Sequence, residues 1–154
     1  IETGEVQVMS AGTGLMHSEM NNHSTEEINL FQIWIMPNKS GVSPRYDQKL
    51  FDASERKNKL QLLVSSIDDN HVGNLKIHQD ALISRIDLME NSEFKYILKS
   101  ENHGIYLMVI SGEINIENET LTKRDAIGIF QTESTLLKAS KNTELLFIEV
   151  PMVF

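Results

Sequence analysis

The feature that most constrains this chain is its punctuation. Short runs of alternating or continuous apolar residues follow one another at regular spacing, each stopped by a cluster of Gly, Asn, Asp or Ser, and no stretch of any length carries a helical period. In "GEVQVM", Val6 and Val8 alternate with Glu5 and Gln7, the period of a half-buried strand. "LQLLVS", "LKIHQDALISRIDL", "FKYIL" and "GIYLMVISG" repeat the theme, and "STLLKAS" and "TELLFIEVP" close it. "EINIEN" and "ETLTKRDAIGIF" read as a hairpin turning near Asn118. Such a succession predicts an all-β sandwich or barrel. "INLFQIWIMP" is the longest apolar run, Ile28 to Met36, and its β-branched and aromatic residues predict a strand buried on both faces. The stretch 38–54, with "NKSGVSPRYDQ", reads as a surface loop. The charged block Glu55 to Lys59 marks the boundary between two units, 1–55 and 60–154.

Composition narrows the functions. The 154 residues carry a net charge of −8, which argues against binding a phosphate backbone, and hence against a direct nucleic-acid partner. The chain has no cysteine, so disulfides and thiolate metal sites are excluded. No run approaches the ~20 apolar residues of a membrane-spanning helix, and no membrane partner is expected. The sequence starts at Ile1 in patterned residues, from which an upstream segment is expected.

Chemistry concentrates in "GLMHSE". His17 and Glu19 stand two apart, so on a strand they would point to one face and could converge on one ion. Imidazole with carboxylate suits Fe(II), Mn(II), Ni(II), Cu(II) or Zn(II) without choosing among them. Two donors are too few for a tight site. An isolated His-x-Glu pair is more often two solvated polar residues. His23, in "MNNHSTEE", reads as solvated, and His71 and His103 as surface residues of turns. His78 and Asp80 in "IHQD" share a face of a predicted strand and read as structural. Trp34 and the seven methionines are assigned to core packing, and no Ser-His-Asp arrangement has a nucleophile context. Laying "RDAIGIFQTESTLLKA" over "GEVQVMSAGTGLMHSE" sets Asp125 against Glu5 and Leu137 against His17, which suggests a duplicated barrel with polar residues in one copy.

"GEVQVMSAGTGLMHSE", then "FQIWIMP", "PRYDQKLF", "LQLLVSS" and "LKIHQDALIS", taken in this order, resemble the pirin family, and in particular its bacterial quercetinase-like members. The resemblance implies a bicupin of two stacked β-barrels, with 1–55 a remnant of the first and 60–154 the complete second. It implies a single divalent transition metal in the first barrel, iron before manganese, nickel, copper or zinc. That ion would be held by an HxH-type pair lying upstream of residue 1, a third His matching His17, and a Glu matching Glu19. Glu19 would also serve as the catalytic base toward a flavonol-like aromatic substrate in a quercetin 2,3-dioxygenase reaction. With half its donors, this chain is expected to be inactive and its site empty or weakly occupied. A non-catalytic regulatory or protein-binding role is the alternative. Cytoplasmic placement is expected. Residues 1–55 are expected to pack on the second barrel or on a neighbouring chain, with self-association through the incomplete barrel.

Overall fold

A computed structural model describes residues 1–152, and within them the only helix is one short 3₁₀ turn, Ala53–Arg56. The strands are β1 (Glu5–Ser10), β2 (Arg45–Leu50), β3 (Gln61–Ser66), β4 (Leu75–Ile77), β5 (Leu82–Leu88) and β6 (Glu93–Ile97). They continue as β7 (His103–Ser111), β8 (Glu113–Ile116), β9 (Glu119–Thr122), β10 (Ala126–Phe130), β11 (Ser134–Ala139) and β12 (Thr143–Pro151). The all-β expectation holds. No helix among the described residues is long and apolar enough to cross a membrane.

Two sheets face each other. One has six strands in the order β10-β7-β12-β5-β3-β4, the other four in the order β6-β11-β8-β9. All pairings are antiparallel except β3 with β4. Inward residues of both sheets fill the space between them: Ile86, Leu107, Ile114, Leu137, Leu145 and Phe147 are wholly buried there. Phe147 lies flat on the Tyr96 ring, centroids 4.7 Å apart and planes 9° from parallel, and Phe94 meets it edge-on at 6.3 Å. The hairpin turns at Glu117 and Asn118, with Glu117 at φ 51° between β8 and β9.

The outer face of the six-stranded sheet is also apolar. Leu63, Val64, Ile83 and Leu146 lie there, covered by Phe51, by Val6 and Val8 of β1, and by Ile35. β1 and β2 form a separate two-stranded ribbon, Glu5 opposite Leu50 through Ser10 opposite Arg45. β1, Ile35 and Phe51 thus lie against the larger sheet of the same chain, held also by Arg45 Nη1 donating to the Lys76 carbonyl at 2.7 Å.

Three expectations need correction. Ile28–Met36 is not a strand: no ladder pairs with it, and Trp34 and Met36 are 86% and 81% exposed. An apolar run becomes a doubly buried strand only when partners flank it on both edges, and no described segment does so. Within the stretch read as a loop, Arg45–Leu50 forms β2; its polar side chains face water because only β1 pairs with it. The methionines are not core as a group either, since Met16, Met20 and Met36 are among the most exposed apolar side chains.

Candidate metal centre

His17 and Glu19 lie in the long connection from β1 to β2. Its start is fixed by Thr13 N–H donating to Val42 O (3.1 Å) and Gly14 N–H to Ala11 O (2.8 Å). Gly12 is required there: at φ +55°, a Cβ would stand 2.0 Å from the Val42 carbonyl oxygen. Its far end is tied down by Asn38 N–H donating to His78 O (2.7 Å) and Gln79 Nε2 to Met36 O (2.8 Å). Between these anchors the backbone is irregular, and both His17 and Glu19 are exposed. The expectation that they share a strand face is therefore not met, because strand geometry depends on a ladder that the described residues do not supply. No group of three or more His, Asp or Glu able to hold a metal exists among the described residues. His17 and Glu19 alone do not fit a mononuclear site, which needs four or more ligands. His23 faces solvent, 3.8 Å from Glu26 Oε2.

Histidines elsewhere differ from expectation. His78 and Asp80 do not share a strand; β4 ends at Ile77, and the pair falls in the turn before β5. His103 is not a surface residue but is 4% exposed at the start of β7. Its Nδ1 lies 2.7 Å from Ser100 Oγ, and its Nε2 lies 3.3 Å from the Asp80 carbonyl and 3.5 Å from Asp80 Oδ2. Asp80 is also bonded by the Lys99 ammonium. A serine, a histidine and an aspartate thus come together here, where no Ser-His-Asp arrangement with a nucleophile context was expected. Yet His103 is buried and Ser100 lines neither described cavity, so the group works as a clasp between the turn before β5 and the turn before β7.

One acid lies buried where no site residue was expected. Glu149 is wholly buried, in phase with Leu145 and Phe147 along β12, and that phase in "LLFIEV" was the available signal. Tyr96 Oη donates to Glu149 Oε2 and the Lys99 N–H to Oε1, each at 2.7 Å. Burial, with the hydrogen bond to and charge of Glu149, pushes the Tyr96 phenol far above its ordinary value, so it stays a donor. Thr135 stands opposite Tyr96 on β11 with its buried Oγ1 lacking a partner.

Comparison with known proteins accounts for this architecture. Residues 62–150 match the quercetinase C-terminal cupin domain, and residues 1–35 match the pirin family. The chain is 36% identical over 153 residues to quercetin 2,3-dioxygenase of Escherichia coli K12, covering 99% of this chain and 64% of the relative. It is 32% identical over 146 residues to a pirin-like protein of Caulobacter vibrioides, covering 95% of this chain and 62% of that one. The bacterial pirin YhhW from Escherichia coli, solved in complex with nickel(II), superposes with a TM-score of 0.87 at 34% identity, covering 97% of this chain and 62% of that structure. The chain therefore spans less than two thirds of the length of these relatives. Its facing sheets are of the cupin type. With a whole-chain likeness and a family model covering most of the sequence, the chain belongs to the pirin family.

Proposed function

We propose that this chain is part of a pirin-type, metal-dependent quercetin 2,3-dioxygenase acting on flavonol-like aromatics. The observation that carries the reading is whole-chain similarity at 36% identity to an enzyme of that name, together with an imidazole and a carboxylate spaced by one residue in the part that matches the pirin model. In this reading residues 1–55 are the remnant of the metal-bearing barrel and 60–154 the other barrel. His17 and Glu19 supply two donors to one divalent transition metal, with iron and nickel the first ions to try. The bound metal would supply the redox chemistry toward dioxygen. Because two donors do not complete a site, the remaining ligands must come from outside these 154 residues, and the chain by itself is catalytically silent.

The test uses the longest polypeptide that the reading frame encodes, measuring metal content and the loss of quercetin absorbance. His17→Ala and Glu19→Gln are each expected to lose most bound metal and turnover. Undiminished turnover in either variant removes that residue from the site.

A second reading, a non-catalytic module that binds another polypeptide, is favoured by one feature: Met16, Met20, Trp34 and Met36 stand more than four-fifths exposed in a single connection. It predicts partner capture that is indifferent to metal, with no turnover.

A further inference from the structure

The margins of the two facing sheets differ in how they are guarded. β4, β6 and β9 border them on three sides and carry Lys76, Glu93 with Lys95, and Glu119. Charged side chains on an exposed edge discourage a second chain from adding to it. β10, the remaining margin, reads Ala126-Ile127-Gly128-Ile129-Phe130 and has neither a charge nor a proline. Its only ladder is with β7.

The phase of that ladder shows which backbone groups are left over. Val109 N–H donates to the Asp125 carbonyl (2.9 Å), and Arg124 N–H to the Val109 carbonyl (2.7 Å). Bonded residues alternate along an antiparallel strand, so Ile127 and Ile129, opposite Leu107 and Ile105, continue the bonding toward β7. The N–H and C=O groups of Ala126, Gly128 and Phe130 therefore point the other way, along the open margin. A groove of about 200 Å³ lies beside β10, bordered by Ile116 and Glu117. Gly128 has no local need to be glycine: its φ is outside the left-handed region, and an added Cβ meets nothing within 4 Å. A glycine inside a strand that its own chain does not explain marks the close approach of another backbone.

The sequence around Gly128 is complementary to itself. Laid antiparallel across a two-fold axis at Gly128, Ala126 faces Phe130 of the second copy, small against large, on the outer face of the sheet. Each Phe130 ring, 55% exposed in the single chain, then falls diagonally over the glycine of the other copy. Lys123 and Glu133 flank the strand at opposite ends; both are exposed, and neither forms an ion pair among the described residues. Antiparallel pairing brings each lysine to the glutamate of the other copy, whereas a parallel arrangement sets like charges together.

We propose that this chain forms a two-fold dimer by pairing β10 with β10 of a second copy, joining their six-stranded sheets into one. The contact uses neither His17 nor Glu19 and stands apart from the dioxygenase reading.

The test follows the mass by light scattering, and amide hydrogen exchange, of the 154-residue chain between about 10 μM and about 1 mM, a range suited to a small, transient interface. A dimer is expected at the upper end. Protection should rise with concentration at Ala126, Gly128 and Phe130, while Ile127 and Ile129 exchange slowly throughout. Gly128→Pro removes an N–H that the single chain leaves unbonded, so it should keep the fold and abolish the dimer. Lys123→Glu should weaken the dimer about fivefold, and Glu133→Lys in the same chain should restore it. This charge exchange leaves β10 untouched and decides the matter if the proline disturbs folding. Trp34→Ser should leave the alternating protection unchanged, which separates this contact from association through the exposed connection. A mass that stays monomeric, exchange at the three amides that is independent of concentration, or a double variant no better than Lys123→Glu would each overturn the proposal.

Discussion

Replacing Phe147 by alanine removes the ring around which the interior is organised. The side chain is wholly buried, lies flat on Tyr96 at 4.7 Å and receives the edge of Phe94 at 6.3 Å. Deleting a buried phenylalanine to alanine costs about 3–5 kcal/mol, through lost transfer energy and the cavity left behind. The stacked geometry favours the upper part of that range, since an aromatic pair contributes about 1 kcal/mol beyond area. At ~2–4 °C per kcal/mol for a chain of this size, the midpoint should fall by about 10 °C. Phe147→Leu keeps most of the volume and should cost about 1–2 kcal/mol. The assays are urea unfolding for the free energies and thermal unfolding for the midpoint, both followed by far-ultraviolet circular dichroism. Emission from Trp34 is unsuitable, because that ring already faces solvent and would scarcely register loss of the core. A cost for Phe147→Ala below about 1 kcal/mol, within the usual range of surface substitutions, would refute the packing described for this barrel.

Three further outcomes are expected. Burial disfavours ionisation of Asp69, but hydrogen bonds from Lys76, Ser65 and the His71 amide outweigh it and hold the carboxyl down at about 2. A depressed folded value means the stabilisation is complete above the unfolded value near 4 and is lost as pH falls toward 2; Asp69→Asn should therefore cost about 1 kcal/mol at pH 6, after allowance for screening, with the difference from the parent vanishing by about pH 2 in urea midpoints. Gly112 has φ +90°, and an added Cβ would stand 2.3 Å from the Asn142 carbonyl oxygen and from Thr143 Oγ1, so Gly112→Ala should destabilise by about 2 kcal/mol or more in the same assay. The exposed Met16, Trp34 and Met36 should drive self-association, seen as a concentration-dependent mass in light scattering that Trp34→Ser reduces; a monomer at all concentrations would count against it.

The second unit was legible because every strand there joins a multi-stranded sheet with one face on the core, which sorts its side chains by period 2. "EINIEN" turned where Asn118 stands, and "TELLFIEV" named both faces of β12. The first unit was less legible for the complementary reason. Ile28–Met36 has the composition of an interior strand, but composition cannot supply neighbours, and the run lies mostly exposed without them. β2 was passed over because "RYDQKL" carries polar residues on both faces, as suits a strand of a two-stranded ribbon. His103 was misplaced because a turn sequence hides what the turn folds onto, here Asp80 from 23 residues earlier. His17 and Glu19 were found by spacing and by resemblance. Their geometry was not, since an i, i+2 rule holds only where a ladder fixes the pleat.

The six-stranded sheet has a consequence for how the molecule could be divided. It serves as a party wall, with Leu145 and Phe147 furnishing one room and Leu146 and Ile148 the other. Severing the chain at the 3₁₀ turn would leave every hydrogen bond of the large sheet intact, yet strip Val6, Val8, Ile35 and Phe51 from Leu63, Val64, Ile83 and Leu146. The remaining barrel would then have a complete frame and one unroofed apolar wall, so its autonomy depends on whatever shelters that wall.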